Sequence, residues 1–333
     1  MKLHKRRPKP SKILLISLAA VLVLLFVFTA FTSVPISYLI RLAFLKGPAV
    51  APANYEKLQS TVSVTKDLTY PSRFKDNRVD IYTPKKGDAP FPVVLWLHGG
   101  AFVGGDKRDV TIYATSLAAK GYAVVCINYR RAPEAKYPTP ILQTGEAYLW
   151  LSTIASEYSL DMNRFVIAGD SAGAHIAAQF AAIQSNDDYA AQVSIKPVVP
   201  PGTLKATLLF CGPFDVAEFS EIDNPILSFF LQKSAQAYFG TRDWSDRFSV
   251  EATIGNHITK NFPPTFISDG NTASFEKHGQ NLAIALEKKN VPVETYFVLL
   301  KEEVIKHEYQ FVMNTPAGEA SFEKVLDFLK EYV

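Results

Sequence analysis

Residues 164–182 read RFVIAGDSAGAHIAAQFAA. An apolar run, Phe165 to Ala168, enters Gly169-Asp170-Ser171-Ala172-Gly173 and leaves as an alanine-rich stretch, which is the pattern of a strand, a sharp turn and a helix. In a G-x-S-x-G turn the flanking glycines are needed because side chains there would collide with neighbouring backbone. The turn lifts the serine over the start of a helix whose dipole favours developing negative charge. A chance Gly-Ser turn accounts for neither the strand before it nor the helix after it. Ser171 is therefore the candidate nucleophile.

Working outward, runs rich in Val, Ile, Phe and Tyr recur at 61–66, 78–83, 92–97, 122–128, 164–168, 206–211, 264–268 and 293–300, and read as eight strands. Helix-compatible stretches lie between most of them, at 109–120, 140–157, 172–185 and 274–290, with a final one at 316–332. Strands alternating with helices imply an α/β class with a mostly parallel sheet covered on both faces. The first two strands have no helix between them and should be antiparallel. Residues 216–261 break the rhythm with apolar helical pieces and no strand. Long insertions of this kind are usually lids, so 216–261 is assigned, with 35–60, to a cap over the site.

Acyl transfer needs donors aimed at a tetrahedral oxyanion. The segment VVLWLHGGAFVGG (93–105) ends a strand at His98 and continues with Gly99 and Gly100. Their N–H groups, with that of Ala172, are the candidate oxyanion hole, and His98 reads as a brace for this loop. The base must come from six histidines. His4 is in a basic tail, and His175 lies on the helix behind the serine. His257 and His278 sit in polar, helix-like surroundings and read as solvated. His307 follows the last strand and precedes the terminal helix, where the chain order Ser, acid, His places a base.

HGGAFVGG, YRRAPEAKYPTP (129–140), GDSAG and HEYQF (307–311) resemble the hormone-sensitive-lipase-like family of carboxylesterases and lipases, which have the α/β-hydrolase fold. The resemblance spans roughly residues 77–333. It implies a Ser-Asp-His triad, no cofactor, and a cap built from an amino-terminal segment and the insertion between strands six and seven. It also implies that Arg130 and Glu134 are structural, fixing a buried loop beneath the site. At the position of the family's acid, in Gly270-Asn271-Thr272-Ala273-Ser274-Phe275, this chain has Ala273. Three carboxylates are alternatives. Asp215, after strand six, is taken first, with capping of the loop into the lid as its competing role. Asp269 ends strand seven, and Glu276 falls in the first turn of the next helix.

These residues give the expected function: ester hydrolysis through an acyl-enzyme on a small-molecule or lipid ester. The alternative is an acyl-ligand-binding homologue that lost turnover with its acid. A peptidase ranks lower, because no propeller-sized domain accompanies the fold.

Composition limits the partners. The 333 residues carry a net charge of +3, but Lys2, Lys5, Arg6, Arg7, Lys9 and Lys12 lie in the first twelve. The remaining 29 bases against 32 acids give no electrostatic case for nucleic acid. Cys126 and Cys211 fall in strand-like runs and read as free core thiols, and no spacing indicates a metal site. Residues 13–31 hold only Ser17 and Thr29 as polar residues and would span roughly 28 Å as a helix. With the basic cluster before them they read as an uncleaved single-pass anchor, in preference to a cleaved signal or a core helix. Residues 1–34 then form a cytoplasmic tail and anchor, and 35–333 an extracytoplasmic catalytic domain.

Overall fold

The computed structural model describes residues 14–21, 23, 32–43, 47–216, 218, 225–243 and 247–333. Eight strands form one sheet: β1 (Val62–Thr69), β2 (Arg78–Pro84), β3 (Phe91–Leu97), β4 (Ala123–Ile127), β5 (Leu160–Asp170), β6 (Leu204–Phe210), β7 (Thr265–Asp269) and β8 (Val293–Phe297). Their order is β1-β2-β4-β3-β5-β6-β7-β8. β2 runs antiparallel to both β1 and β4, and all other pairs are parallel. The eight strands, their near-parallel sheet and the antiparallel first pair agree with the sequence reading.

Alternation along the central strands sends side chains to two separate cores. On one face Val93, Leu95, Leu97, Ile167, Leu209 and Ile267 meet helices α4 (Thr139–Ile154), α5 (Ala172–Ser185) and α9 (Glu276–Glu287). On the other, Val94, Trp96, Val166, Ala168, Leu208, Phe210 and Phe266 meet α3 (Thr111–Ala118) and α10 (Pro316–Tyr332). Cys126 and Cys211 are free and buried. A sheet covered twice leaves one open edge region for chemistry, the carboxyl ends of the parallel strands.

The expected cap is divided. Helix α1 (Val34–Ala43) packs against α7 (Pro225–Phe239) over that end of the sheet. The short helix α2 (Tyr55–Ser60) instead packs on α3, with Tyr55 Oη donating to Thr115 Oγ1 at 3.4 Å. Residues 55–60 thus cover the outer face of the sheet, not the serine. In the insertion, α8 (Arg247–Ala252) follows α7, and α6 (Asp187–Gln192) follows α5 elsewhere. The expected anchor at 13–31 falls largely outside the described residues, which include 14–21 and 23 of it. Among the described residues no helix is long and apolar enough to cross a membrane.

Candidate active site

β5 runs straight into the nucleophile turn. Ser171 has φ 51° and ψ −121°, a conformation that side chains rarely adopt. Its N–H donates to the carbonyl of Phe210 at 2.8 Å, which fixes the turn to the neighbouring strand. The expected glycines are sterically required. A Cβ at Gly169 would lie 2.4 Å from Gly173, and a Cβ at Gly173 would lie 2.0 Å from the carbonyl oxygen of Leu97.

His307 comes to the serine from the loop after β8, with Nε2 3.0 Å from Ser171 Oγ. Burial lowers its pKa to about 4, so the ring is neutral and able to accept a proton. The other ring nitrogen, Nδ1, is 2.7 Å from Ser274 Oγ. Ser274 Oγ in turn donates to Asp269 Oδ1 at the end of β7. Asp269 is buried, and its carboxylate also accepts from the N–H groups of Gly270 at 2.7 Å and Phe275 at 3.0 Å.

Asp215, taken first as the acid, is not brought to His307. Its Oδ1 accepts from Thr253 Oγ1 at 3.3 Å, and its N–H donates to His278 Nδ1 at 3.1 Å. β6 turns into the cap at this residue, so the carboxylate is spent on holding the cap segment. Glu276 lies in the first turn of α9, with Gln280 Nε2 donating to its Oε1 at 3.0 Å. Ala273 sits in the left-handed region at φ 50°. Ser274, one residue on, supplies the contact, and a serine next to an empty acid position carries no sequence signal for that role.

The oxyanion donors also differ in part. Gly99 N–H is occupied, donating to Asp170 Oδ2 at 2.7 Å, so it is not an oxyanion donor. Gly99 is a glycine for a different reason: a Cβ there would stand 2.4 Å from that carboxylate oxygen. The N–H groups of Gly100, Ala101 and Ala172 have no acceptor among the described residues. Gly100 and Ala101 have φ 113° and 52°, which turns the loop toward the serine, and Ala101 and Ala172 line the cavity beside Ser171. Ala101 thus offers a further N–H at this loop, one that sequence reasoning missed.

The remaining polar groups brace this loop. His98 is buried, stacks on Tyr129 with centroids 4.5 Å apart, and has Nδ1 2.7 Å from Gly99 O. Tyr129 Oη donates to His98 O at 2.7 Å. His175 lies behind the serine with Nδ1 2.8 Å from Pro213 O. His257 and His278, read as solvated, are both buried: His257 stacks on Tyr189 and His278 packs against Phe275. Arg130 pairs with Asp76 at 2.9 Å. Glu134 is not beneath the site but at the cap boundary, in a two-point pair with Arg41 of α1.

The cavity beside Ser171 is narrow and is walled by Ala101, Phe102, Pro213, Leu231, Ser234 and Phe275. Leu231 and Ser234 come from α7, in the insertion between β6 and β7. A larger open depression of about 1420 Å³ at the far end of α5, lined by Asn186, Asp187 and Asp188, contains no histidine and no part of this constellation. Cys211, Asp269 and His307 have donor atoms within 4.8 Å of one another. Asp269 and His307 already bond Ser274, and Cys211 Sγ meets Gln310, so all three are engaged with protein partners.

A serine held on a strand-to-helix turn at the carboxyl end of such a sheet, with a histidine delivered by the loop after its last strand, defines the α/β-hydrolase fold. The chain belongs to the BD-FAE family of that fold, whose model matches residues 79–284. It is similar to carboxylesterase NlhH of Mycobacterium tuberculosis, 28% identical over 295 residues that cover 85% of this chain and 89% of the relative. Esterase B of Lactobacillus rhamnosis has the same fold at a TM-score of 0.70 and 21% identity, covering 94% of this chain and 96% of that one. A bacterial heroin esterase superposes with a TM-score of 0.66 at 22% identity, covering 88% and 96%.

Proposed function

We propose that this chain is a serine carboxylic ester hydrolase that works through an acyl-enzyme. The observation that carries the reading is the 3.0 Å contact between Ser171 Oγ and His307 Nε2, made at a serine in the left-handed conformation of the nucleophile turn. Similarity to carboxylesterases supports the same activity. No observation favours the alternative of an impaired acyl-binding homologue, because His307 Nδ1 has a hydrogen-bond partner despite Ala273.

The steps follow from the geometry. Ser171 Oγ attacks the ester carbonyl carbon as its proton passes to His307 Nε2, and the carbonyl oxygen becomes an anion facing the N–H groups of Gly100, Ala101 and Ala172. The tetrahedral intermediate collapses, the C–O bond to the alcohol breaks, and His307 returns the proton to the leaving oxygen. Water, deprotonated by the same nitrogen, then attacks the acyl-serine, the bond to Ser171 Oγ breaks, and His307 returns the proton to Oγ as the acid leaves. The walls around Ser171 are mostly apolar, which suits a non-polar acyl group.

The apolar run at 13–31 and its preceding bases support a single-pass anchor with the catalytic domain extracytoplasmic. Protease added to intact cells or spheroplasts should then reach the domain, and release as a soluble protein would count against the anchor. For the activity, the full chain is expected to hydrolyse p-nitrophenyl butyrate and to take up a fluorophosphonate probe. Ser171→Ala should abolish both. Equal rates for the two proteins would refute the esterase reading.

A further inference from the structure

We propose that Ser274 takes the place of the missing carboxylate at His307 and links the base to Asp269, so that the site works through a Ser171, His307, Ser274, Asp269 chain of hydrogen bonds. The proposal rests on the esterase reading and assigns two positioning residues to it.

The geometry is built in. Gly270 lets the loop after β7 press against the base loop, since a Cβ there would lie 2.2 Å from the carbonyl oxygen of Lys306. Thr272 N–H donates to Ile305 O at 3.0 Å, and Ile305 N–H donates to Asn271 Oδ1 at 3.0 Å. The two loops are therefore locked together, with Ser274 Oγ 2.7 Å from His307 Nδ1. Behind it, Asp269 is held by two backbone N–H groups as well as by the serine.

Counting protons gives the chain a direction. A serine hydroxyl has one proton to donate. While Asp269 is a carboxylate, Ser274 donates to Asp269 Oδ1, and its oxygen must accept from His307 Nδ1–H. That tautomer leaves Nε2 as an acceptor facing Ser171 Oγ–H, as proton removal requires. When Nε2 takes the proton, the imidazolium is stabilised by a carboxylate one hydroxyl away. If Asp269 is protonated, the order reverses: Asp269 donates to Ser274, Ser274 donates to Nδ1, and the favoured tautomer carries its proton on Nε2, which leaves only a small fraction of the ring able to accept from the serine.

Burial pushes the Asp269 carboxyl up to about 8, against the donors Ser274, Gly270 and Phe275 that favour its ionised form. The ionisable groups around it are Glu276 on α9, Cys211 after β6, and His307 and Glu308 on the base loop. Turnover should therefore rise as pH passes through about 8, where the chain acquires its productive direction.

The test is steady-state hydrolysis of p-nitrophenyl butyrate by the full chain across the range from about pH 6 to 9.5. Ser274→Ala should lower kcat about 10²-fold, with much less effect on KM, and should lose the rise near pH 8. Ser274→Thr, which keeps the hydroxyl, should recover most of that loss. Asp269→Asn should lower kcat and flatten the profile while leaving Ser274 in place. Ser274→Ala within about three-fold of the parent, with the rise intact, overturns the proposal. If thermal melting shows that Ser274→Ala does not fold, an unchanged kcat in Asp269→Asn overturns it instead. An inactive parent refutes the esterase reading, whereas an active parent indifferent to both substitutions refutes the relay alone.

Discussion

Asp170 and Glu308 bring two buried carboxyl groups together beneath Gly99 of the glycine loop. One precedes the nucleophile and the other follows the base, so the pair ties the two catalytic turns together. Asp170 also accepts from Trp96 Nε1 and Gly99 N–H, each at 2.7 Å, which extends the tie to the oxyanion loop. Two buried carboxyls this close cannot both ionise, and burial together with Asp170 holds the Glu308 pKa well above its ordinary value.

The sign of the resulting pH dependence is fixed. The folded chain keeps a proton that the unfolded chain releases above about pH 4.5, so the pair makes stability decline as pH rises from there. Glu308→Gln puts a neutral donor in the same place and should remove that decline. Its melting temperature relative to the parent should increase steadily from about pH 5 to pH 8. A destabilisation of equal size at every pH would mean that the pair carries no shared proton.

Two titrations should shape the activity profile of the parent. His307 is depressed to about 4 and Asp269 raised to about 8, both by burial. With falling pH, kcat/KM should step down through about 8, hold a lower plateau, and collapse only as His307 becomes protonated near 4. A histidine of ordinary pKa would already cost about thirty-fold at pH 5. Initial rates over short incubations separate the two limbs, and a single limb near 6.5 would show that neither group is buried as described.

The sheet and the nucleophile were legible because both rest on local patterns. The continuous apolar runs VVLWL and FVIA gave the strands, and Gly169 and Gly173 gave the turn, each a constraint within a few residues of its cause. Gly99 and Gly100 look equivalent in the chain, yet one makes room for Asp170 and the other turns an N–H toward the serine. Only the approach of β5 to β3 separates them. Ser274 was illegible for the same reason, since its role depends on the loops at 270–275 and 305–308 meeting across some 30 residues of intervening chain. His257 and His278 were misread as solvated because polar neighbours in sequence say nothing of Tyr189 stacked on the one and Phe275 edge-on to the other in space.

The cap is fastened to the oxyanion loop by Arg41. Its Nε donates to Val103 O at 2.7 Å and Nη2 to Ala132 O at 2.8 Å, and Nη1 and Nη2 donate to the two carboxylate oxygens of Glu134 at 2.8 and 2.7 Å. Arg41→Ala removes all four bonds and should cost about 1–3 kcal/mol in a thermal or denaturant melt, with a several-fold fall in kcat/KM as the loop loosens. Arg41→Lys should rescue little, since an ammonium cannot reproduce the planar two-point contact. Arg41 holds Glu134 down at about 2, so the clasp contributes above about pH 4.5 and weakens only as pH falls toward 2. Full stability and full activity in Arg41→Ala would show that α1 is held by its apolar packing alone.

Ala273 and Asp215 decide between a repaired site and an impaired one. If the empty acid position crippled His307, Ala273→Asp should raise kcat/KM by several orders of magnitude, up to the roughly 10⁴-fold normally lost with a triad acid. But Nδ1 already has Ser274 Oγ at 2.7 Å, and a new carboxylate would have to displace a hydroxyl that Asp269 holds from behind. The expected gain is therefore less than about ten-fold. The left-handed φ of 50° at this position is better tolerated by aspartate than by most residues, so a small effect cannot be blamed on backbone strain. Asp215→Asn should change turnover by no more than about three-fold, because its carboxylate meets Thr253 and not the base. A large gain from Ala273→Asp would show that the serine link is a poor substitute for a direct carboxylate. A large loss from Asp215→Asn would show that the cap segment, through Thr253 and His278, positions the base in a way the resting geometry does not require.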